Sequence, residues 1–143
     1  MESKKHIIDF RIRWAWHGIS RLYNDLAKNH DATTSTAYTL LNIEKQGILS
    51  TQLGPKMGME SRSLTRTLKS LVDRKLIRKK TDVQDKRKVH LYLTNKGLRY
   101  RKIASKNVKI FNECVFKKIN KEELTTFYKV MDAIDSSIEE LKK

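Results

Sequence analysis

Residues 61–74, SRSLTRTLKSLVDR, read as a helix with two different faces. Leu64, Leu68, Leu71 and Val72 fall within one arc of the helical wheel, while Arg62, Arg66 and Lys69 point the opposite way, with Ser63 and Ser70 beside them. Ser61 offers an N-cap, and the helix is expected to run through about Arg74. One side is thus suited to a core, and the other presents cations and hydroxyls without bulky apolar groups. Just downstream, LIRKK (76–80) and VHLYLT (89–94) have strand-like character. They bracket DVQDKRK (82–88), a polar tip suited to a hairpin.

Upstream, apolar residues Ile8, Ile12, Ala15, Ile19, Leu22 and Leu26 recur at three- and four-residue spacing. They predict a long helix from about Lys5 to Lys28, some ~36 Å at 1.5 Å per residue. Trp14, Trp16 and Tyr23 widen its apolar surface, so more than one packing neighbour is expected. Thr33-Thr34-Ser35 supplies cap chemistry for a second helix containing Ala37, Leu40, Leu41 and Ile43, ended by Gly47. A third helix, 51–57, is expected between a Ser50 cap and Gly58. Gly54-Pro55 should make it short or distorted, because proline lacks an N–H and disfavours helix in the residue before it. After the hairpin, two further helices are expected, from about Asn95 to Lys118 and from about Lys121 onward, the latter capped by Asn120.

The expected fold class is therefore mostly α with a small β-hairpin wing: a winged helix-turn-helix flanked by long helices. Residues 1–32 and 99–143 are read as dimerisation helices and 33–98 as the winged lobe. One core fits a chain of 143 residues.

Charge narrows the function. The chain carries a formal net charge of +15. Residues 55–101 hold fifteen Lys/Arg against four Asp/Glu, a balance of +11, and the rest contributes only +4. A polyanionic partner is implied, nucleic acid or an anionic membrane surface. No stretch approaches the roughly 18 apolar residues of a membrane span. The segment from Met1 to His6 leads into alternating charged and apolar residues, unlike a signal-peptide core, which predicts a cytoplasmic protein with no membrane partner. The single cysteine, Cys114, agrees with that compartment and is expected to be a buried structural thiol.

The helix at 61–74 could enter a major groove, where arginines bond guanine edges or phosphates and Ser63, Thr67 and Ser70 bond either. An ordinary solvated face would show the same charged side. The tip adds Lys80, Lys86, Arg87 and Lys88, cations suited to the negative potential of a minor groove. Asp85, two residues before Arg87, is placed to orient the guanidinium. A solvated basic loop is the alternative.

Three stretches in this order and spacing resemble the multiple-antibiotic-resistance regulator (MarR) family of winged helix-turn-helix transcription regulators. Residues 61–71 are similar to its recognition helix, with the Thr-Arg pair at Thr65-Arg66. Residues 82–88 are similar to its Asp-x-x-Asp-x-Arg wing, and LYLTNKG (91–97) to the strand and turn that follow. The likeness departs at Val83, where the wing often has proline, and at Gly54-Pro55. It implies an obligate homodimer on a pseudo-palindromic operator of double-stranded DNA. It also implies a recognition helix at 61–74, DNA contacts from Ser61, Arg62, Ser63, Arg66, Thr67, Lys69, Ser70, Lys86, Arg87 and Lys88, and Arg87 in the minor groove. Small anionic or aromatic effectors are implied as well, in a cleft that Trp14, Trp16, His17 and Tyr38 could line; the same four residues could equally be core.

No catalytic site is read. His6, His17, His30 and His90 are scattered without metal-ligand spacing, and there is no Gly-rich phosphate loop or nucleophile signature. The expectation is a ligand-responsive repressor that is not an enzyme and needs no cofactor or metal. The alternative is a sequence-tolerant architectural DNA-binding protein of the same fold.

Overall fold

Leu64, Leu68 and Leu71 are buried along one side of a helix spanning Ser61–Asp73, and the core assembles on that stripe. The structure, a computed structural model, describes residues 7–30 and 32–142; Lys5, where the first helix was expected to begin, and His6 lie outside the described residues. The elements run α1 (Ile8–Ala27), a 3-10 turn (Lys28–His30), α2 (Thr34–Asn42), β1 (Ile48–Leu49), α3 (Ser50–Met57), α4 (Ser61–Asp73), β2 (Ile77–Thr81), β3 (Val89–Leu93), α5 (Asn95–Phe116) and α6 (Lys121–Leu141). They divide into two compact units, with the boundary after Asn107, inside α5.

In the first unit Leu40 and Ile43 from α2 and its end, Leu53 and Met57 from α3, Leu76 just before β2, and Ile77 and Leu91 from the sheet close over the α4 leucines. Burying a side chain of this size contributes roughly 1.5–3 kcal/mol. Thr34 ties α1 to α2: its hydroxyl donates to Ser20 O at 3.0 Å, and its amide donates to Asn24 Oδ1 at 2.7 Å. The Tyr38 hydroxyl donates to Met57 O at 3.1 Å, joining α2 to the end of α3.

Helix ends depart from the sequence reading in informative ways. Thr33 does cap α2, accepting from Thr36 N, but the helix stops at Asn42 and Ile43 is extended. Gly47 is not its terminus. It sits in a later turn with φ of +90°, where a Cβ would meet the Tyr92 ring at 2.5 Å. Ser50 and Ser61 are first helical residues, not caps; the caps are Leu49 and Glu60, neither with a side-chain cap bond. Pro55 is accommodated within the short α3. Gly58, at φ of +68°, ends it with its amide on Pro55 O and Met59 N on Gly54 O at 2.9 Å, the paired bonds of a Schellman motif. The same pairing ends α4: Lys75 takes φ of +60°, donating to Val72 O, while Leu76 N donates to Leu71 O.

The sheet has three strands in the order β1-β3-β2, all antiparallel, with Ile77 opposite Leu93 and Thr81 opposite Val89. The hairpin is as expected, but β1 is additional: two residues, Ile48 and Leu49, opposite Leu91 and His90. Side chains alternate across this ladder. Ile77 and Leu91 turn inward, while Arg78, Lys80, His90 and Tyr92 share the outer face.

The junction from β3 into α5 is the tightest point. Thr94 N and Thr94 Oγ1 both donate to Leu76 O at 3.1 Å, and Gly97 N donates to Thr94 Oγ1 at 3.0 Å, capping α5. A Cβ on Gly97 would collide with the Leu76 carbonyl oxygen, so only glycine permits the approach. Ala104, further along α5, is buried too.

The second unit holds the end of α5 and α6. α5 stops at Phe116, two residues short of the expected Lys118, where Lys118 N turns back to Val115 O. Asn120 caps α6 as expected and forms a capping box with Glu123. Cys114, expected to be buried, is exposed on α5, with Lys118 Nζ 3.3 Å from its sulfur.

Gly97→Ala should destabilise the protein by about 1–3 kcal/mol, because the Leu76 carbonyl is backbone and cannot rotate away. Lys75→Gly should leave stability unchanged or raise it, since it relieves a left-handed residue. Chemical denaturation of both variants checks the pair; an unperturbed Gly97→Ala would show that the junction yields.

Candidate nucleic-acid interface

The candidate interface consists of α4 and the tip of the wing, both in the first unit. Ser61, Arg62, Ser63, Arg66, Lys69 and Ser70 are exposed on α4, on the side away from its buried leucines. Thr67 differs: it is half-buried, with its hydroxyl 3.5 Å from Ser35 Oγ on α2. Thr65 lies on the exposed side and back-bonds to Ser61 O at 3.2 Å, a residue the wheel argument passed over. The first turn of α4 contains no acidic residue and has no side-chain cap bond. The first-turn amides, of which that of Ser63 donates to Glu60 O at 3.1 Å, add partial positive charge at the end that bears Arg62, beside the Glu60 carboxyl at the cap position.

The wing tip is held by two aspartates. Asp82 Oδ1 accepts from Gln84 N at 2.8 Å and Asp85 N at 2.9 Å, the Asx-turn geometry. Its Oδ2 lies 2.9 Å from His90 Nε2 on β3. The backbone closes around it, with Asp82 N donating to Lys88 O and Lys88 N to Asp85 O, both at 2.9 Å. The His90 hydrogen bond, followed by those from the Asp85 and Gln84 amides, pulls the Asp82 carboxyl down to about 2.

Asp85 performs the second task. Its Oδ1 accepts from Arg87 N at 3.1 Å and Arg87 Nε at 3.2 Å, and its Oδ2 from Nη2 at 3.5 Å. The Asp85 side chain is 32% exposed and that of Arg87 92% exposed, so the guanidinium is tethered on one edge and projects into solvent. Lys86 and Lys88 flank it, also exposed. Lower on the same hairpin, the Arg78 guanidinium lies 5.1 Å from the Tyr92 ring centroid.

The residues read as effector-binding lie on two elements, α1 and α2. Trp14, 64% exposed, Trp16 and His17 lie on the outer surface of α1. Tyr38 stands on α2 with its hydroxyl committed to Met57 O. In the single chain the two tryptophans are therefore not core. The described residues contain no group of three or more His, Cys, Asp or Glu placed to hold a metal. None of the described helices is long and apolar enough to cross a membrane.

Asp82 and His90 escaped the sequence reading. The signal was available: residues 80 and 90 are opposed in the hairpin, so residue 82 lies diagonally beside His90 on one face. The Asp82 carboxylate carbon should titrate near pH 2 in NMR, well below the ordinary 3.8. Its folded value is depressed, so the stability it contributes is complete above the ordinary value and is lost as pH falls towards 2. His90→Gln should move that midpoint upward; an ordinary midpoint in the wild type would contradict the hydrogen-bond account.

Comparison with known proteins agrees with this architecture. The family description "Transcriptional regulator SarA/Rot" matches residues 21–103, more than half of the chain. The HTH-type transcriptional regulator TtmR of Methylorubrum extorquens (strain PA1) is 32% identical over 89 residues, 62% of this chain. The match spans 46% of that relative, less than half its length. Among solved structures, S. aureus MepR in complex with DNA superposes with a TM-score of 0.84 at 17% identity, over 92% of this chain and 98% of that one. The PcaV regulator from Streptomyces coelicolor, in complex with its natural ligand, gives 0.83 at 21% identity, over 96% and 98%. The last two likenesses establish the fold, and the family match establishes the kinship: the chain belongs to the SarA/Rot family of transcriptional regulators, winged-helix proteins of MarR-like fold.

Proposed function

We propose that this regulator binds a pseudo-palindromic operator in double-stranded DNA as a homodimer, and that it is a repressor released by a small anionic or aromatic effector. The observation that carries the reading is the pairing within one lobe of an α4 face bearing Arg62, Arg66 and Lys69 with a wing that projects Arg87 between Lys86 and Lys88. Such a helix can read base edges, while a tethered arginine can enter the adjacent minor groove. Ser61, Ser63, Thr67 and Ser70 supplement the helix contacts, and Asp85 orients the wing arginine. MepR has been solved on DNA and PcaV with its natural ligand, which favours both halves of the proposal.

Dimerisation is proposed from what the single chain leaves exposed. Ile8, Ile12, Trp14, Trp16 and Leu22 of α1 and Phe127, Tyr128, Val130, Ile138 and Leu141 of α6 are exposed, and α6 buries no residue at all. Surfaces this apolar mark protein–protein contact. Residues 1–32 and 99–143 would then serve dimerisation and 33–98 DNA binding, in a cytoplasmic protein. The effector site is proposed at Trp14, Trp16, His17 and Tyr38, completed when the exposed faces are covered.

Selection from a random duplex pool tests the reading. Recovered sequences should form an inverted repeat with half-site centres about one turn apart, ~34 Å, and light scattering should show a dimer. Recovery of unrelated sequences bound equally well would transfer the case to a sequence-tolerant architectural protein.

Arg87→Ala should weaken binding by about 1–3 kcal/mol on every sequence, and by more than Lys129→Ala on α6. Arg62→Ala or Arg66→Ala should change which operator bases are tolerated. Equal losses on selected and random duplexes for both helix variants would mean that they touch only phosphate.

A further inference from the structure

On the outer face of the wing, one carboxylate joins the turn backbone to the strand. Asp82 accepts from the Gln84 and Asp85 amides through Oδ1 and meets His90 Nε2 through Oδ2 at 2.9 Å. We propose that Asp82 and His90 are positioning residues for the wing, and that protonation of His90 tightens the wing and raises affinity for DNA, so that DNA binding responds to pH near neutrality. This deepens the DNA-binding reading given above and rests on it.

The chemistry favours one direction. A neutral imidazole presents an N–H at Nε2 in only one of its two tautomers; an imidazolium always presents one, and the bond becomes charge-assisted. Protonation also adds one positive charge to a wing already bearing Lys86, Arg87 and Lys88. Asp82 keeps its charge throughout the neutral range, and imidazole is the side-chain type whose ordinary protonation step falls there. The groups facing His90 are few. Lys80 opposes it across β2, and Leu49, uncharged, pairs with it from β1. The Tyr92 ring is stacked at 6.2 Å, with Arg78 5.1 Å from the Tyr92 centroid. Lys80 is exposed and solvent-screened, whereas Asp82 is in hydrogen-bond contact, so the attraction outweighs the repulsion.

The test is fluorescence anisotropy on a mixed-sequence duplex, which needs no operator, at constant ionic strength between about pH 5.5 and 8. Wild type should bind about 2- to 5-fold more tightly at the acid end, the range of a partly exposed ion pair. His90→Gln should lose that response, while His30→Gln, outside the wing, should keep it. Asp82→Asn separates the two tasks, since its amide oxygen can still cap Gln84 and Asp85 but carries no charge; it too should lose the response. In the free protein, the Gln84 and Asp85 amide resonances should follow the His90 imidazole titration. Superimposable pH profiles for wild type and His90→Gln, or amides that ignore His90, would overturn the proposal. Absence of duplex binding at every pH would overturn the DNA-binding reading and this inference with it; binding that ignores pH would overturn this inference alone.

Discussion

Leu76 O is the point through which the winged lobe is held in register. The carbonyl sits where α4 has just ended and β2 is about to begin, and it accepts both the amide and the hydroxyl of Thr94 from the far end of the hairpin. Gly97 is pressed against the same carbonyl, so the first turn of α5 starts in contact with the residue that follows α4. Lys96 Nζ adds a bond to Arg74 O at 3.1 Å, and the single Thr94 hydroxyl hydrogen is shared between Leu76 O and Lys75 O, the latter 2.6 Å from Oγ1. These bonds tie the three carbonyls that follow α4, those of Arg74, Lys75 and Leu76, to the start of α5. The direction of α4 and the base of the wing are thereby set by one crossing. The Thr94 amide bond and the Gly97 approach are backbone on both sides, so side-chain repacking cannot relieve them.

The leucine stripe of α4 gives the crossing its purpose. With Leu64, Leu68 and Leu71 buried, the arginines and serines have one available side, and it is solvent. The wing is aimed by the same core through Ile77 and Leu91, which leave Arg78, Lys80, His90 and Tyr92 outside. Helix and wing are therefore two outer faces of a single apolar cluster. A rigid core of this kind fixes the spacing between their cations without any direct contact between them.

Much of this was legible in the sequence because it follows from local pattern. The 3.6-residue period at 61–74, the strand-like run at 89–94 and the polar tip each depend on neighbours within a few positions. What escaped depends on distant partners. Ile48 and Leu49 become a strand only because β3 offers them an open edge. Ser50 and Ser61 have the chemistry of caps, yet each helix starts one residue earlier in the chain than that chemistry implied, with Leu49 and Glu60 at the cap positions. Gly47 looked like a helix stop, whereas its φ of +90° serves a turn under Tyr92, 45 positions away in sequence. Cys114 read as interior and the two tryptophans as cleft or core, but all three lie on helices whose apolar faces the single chain does not cover.

The placement of acid in so basic a tip has a physical reason. Lys80, Lys86, Arg87 and Lys88 crowd a turn of a few residues, and their mutual repulsion would by itself favour an open, mobile loop. Asp82 and Asp85 oppose that repulsion from beneath: their side chains are only 27% and 32% exposed, against 92% for Arg87. Each also accepts backbone amides, so the anions are held by the turn itself as well as by the cations. The tip therefore gains order without covering its positive groups. Asp85 engages Nε and Nη2 of Arg87, and of the five guanidinium N–H donors the remainder still point outward. A polyanion approaching the tip meets a donor set already oriented, and less side-chain freedom is lost on contact than a flexible lysine tip would lose.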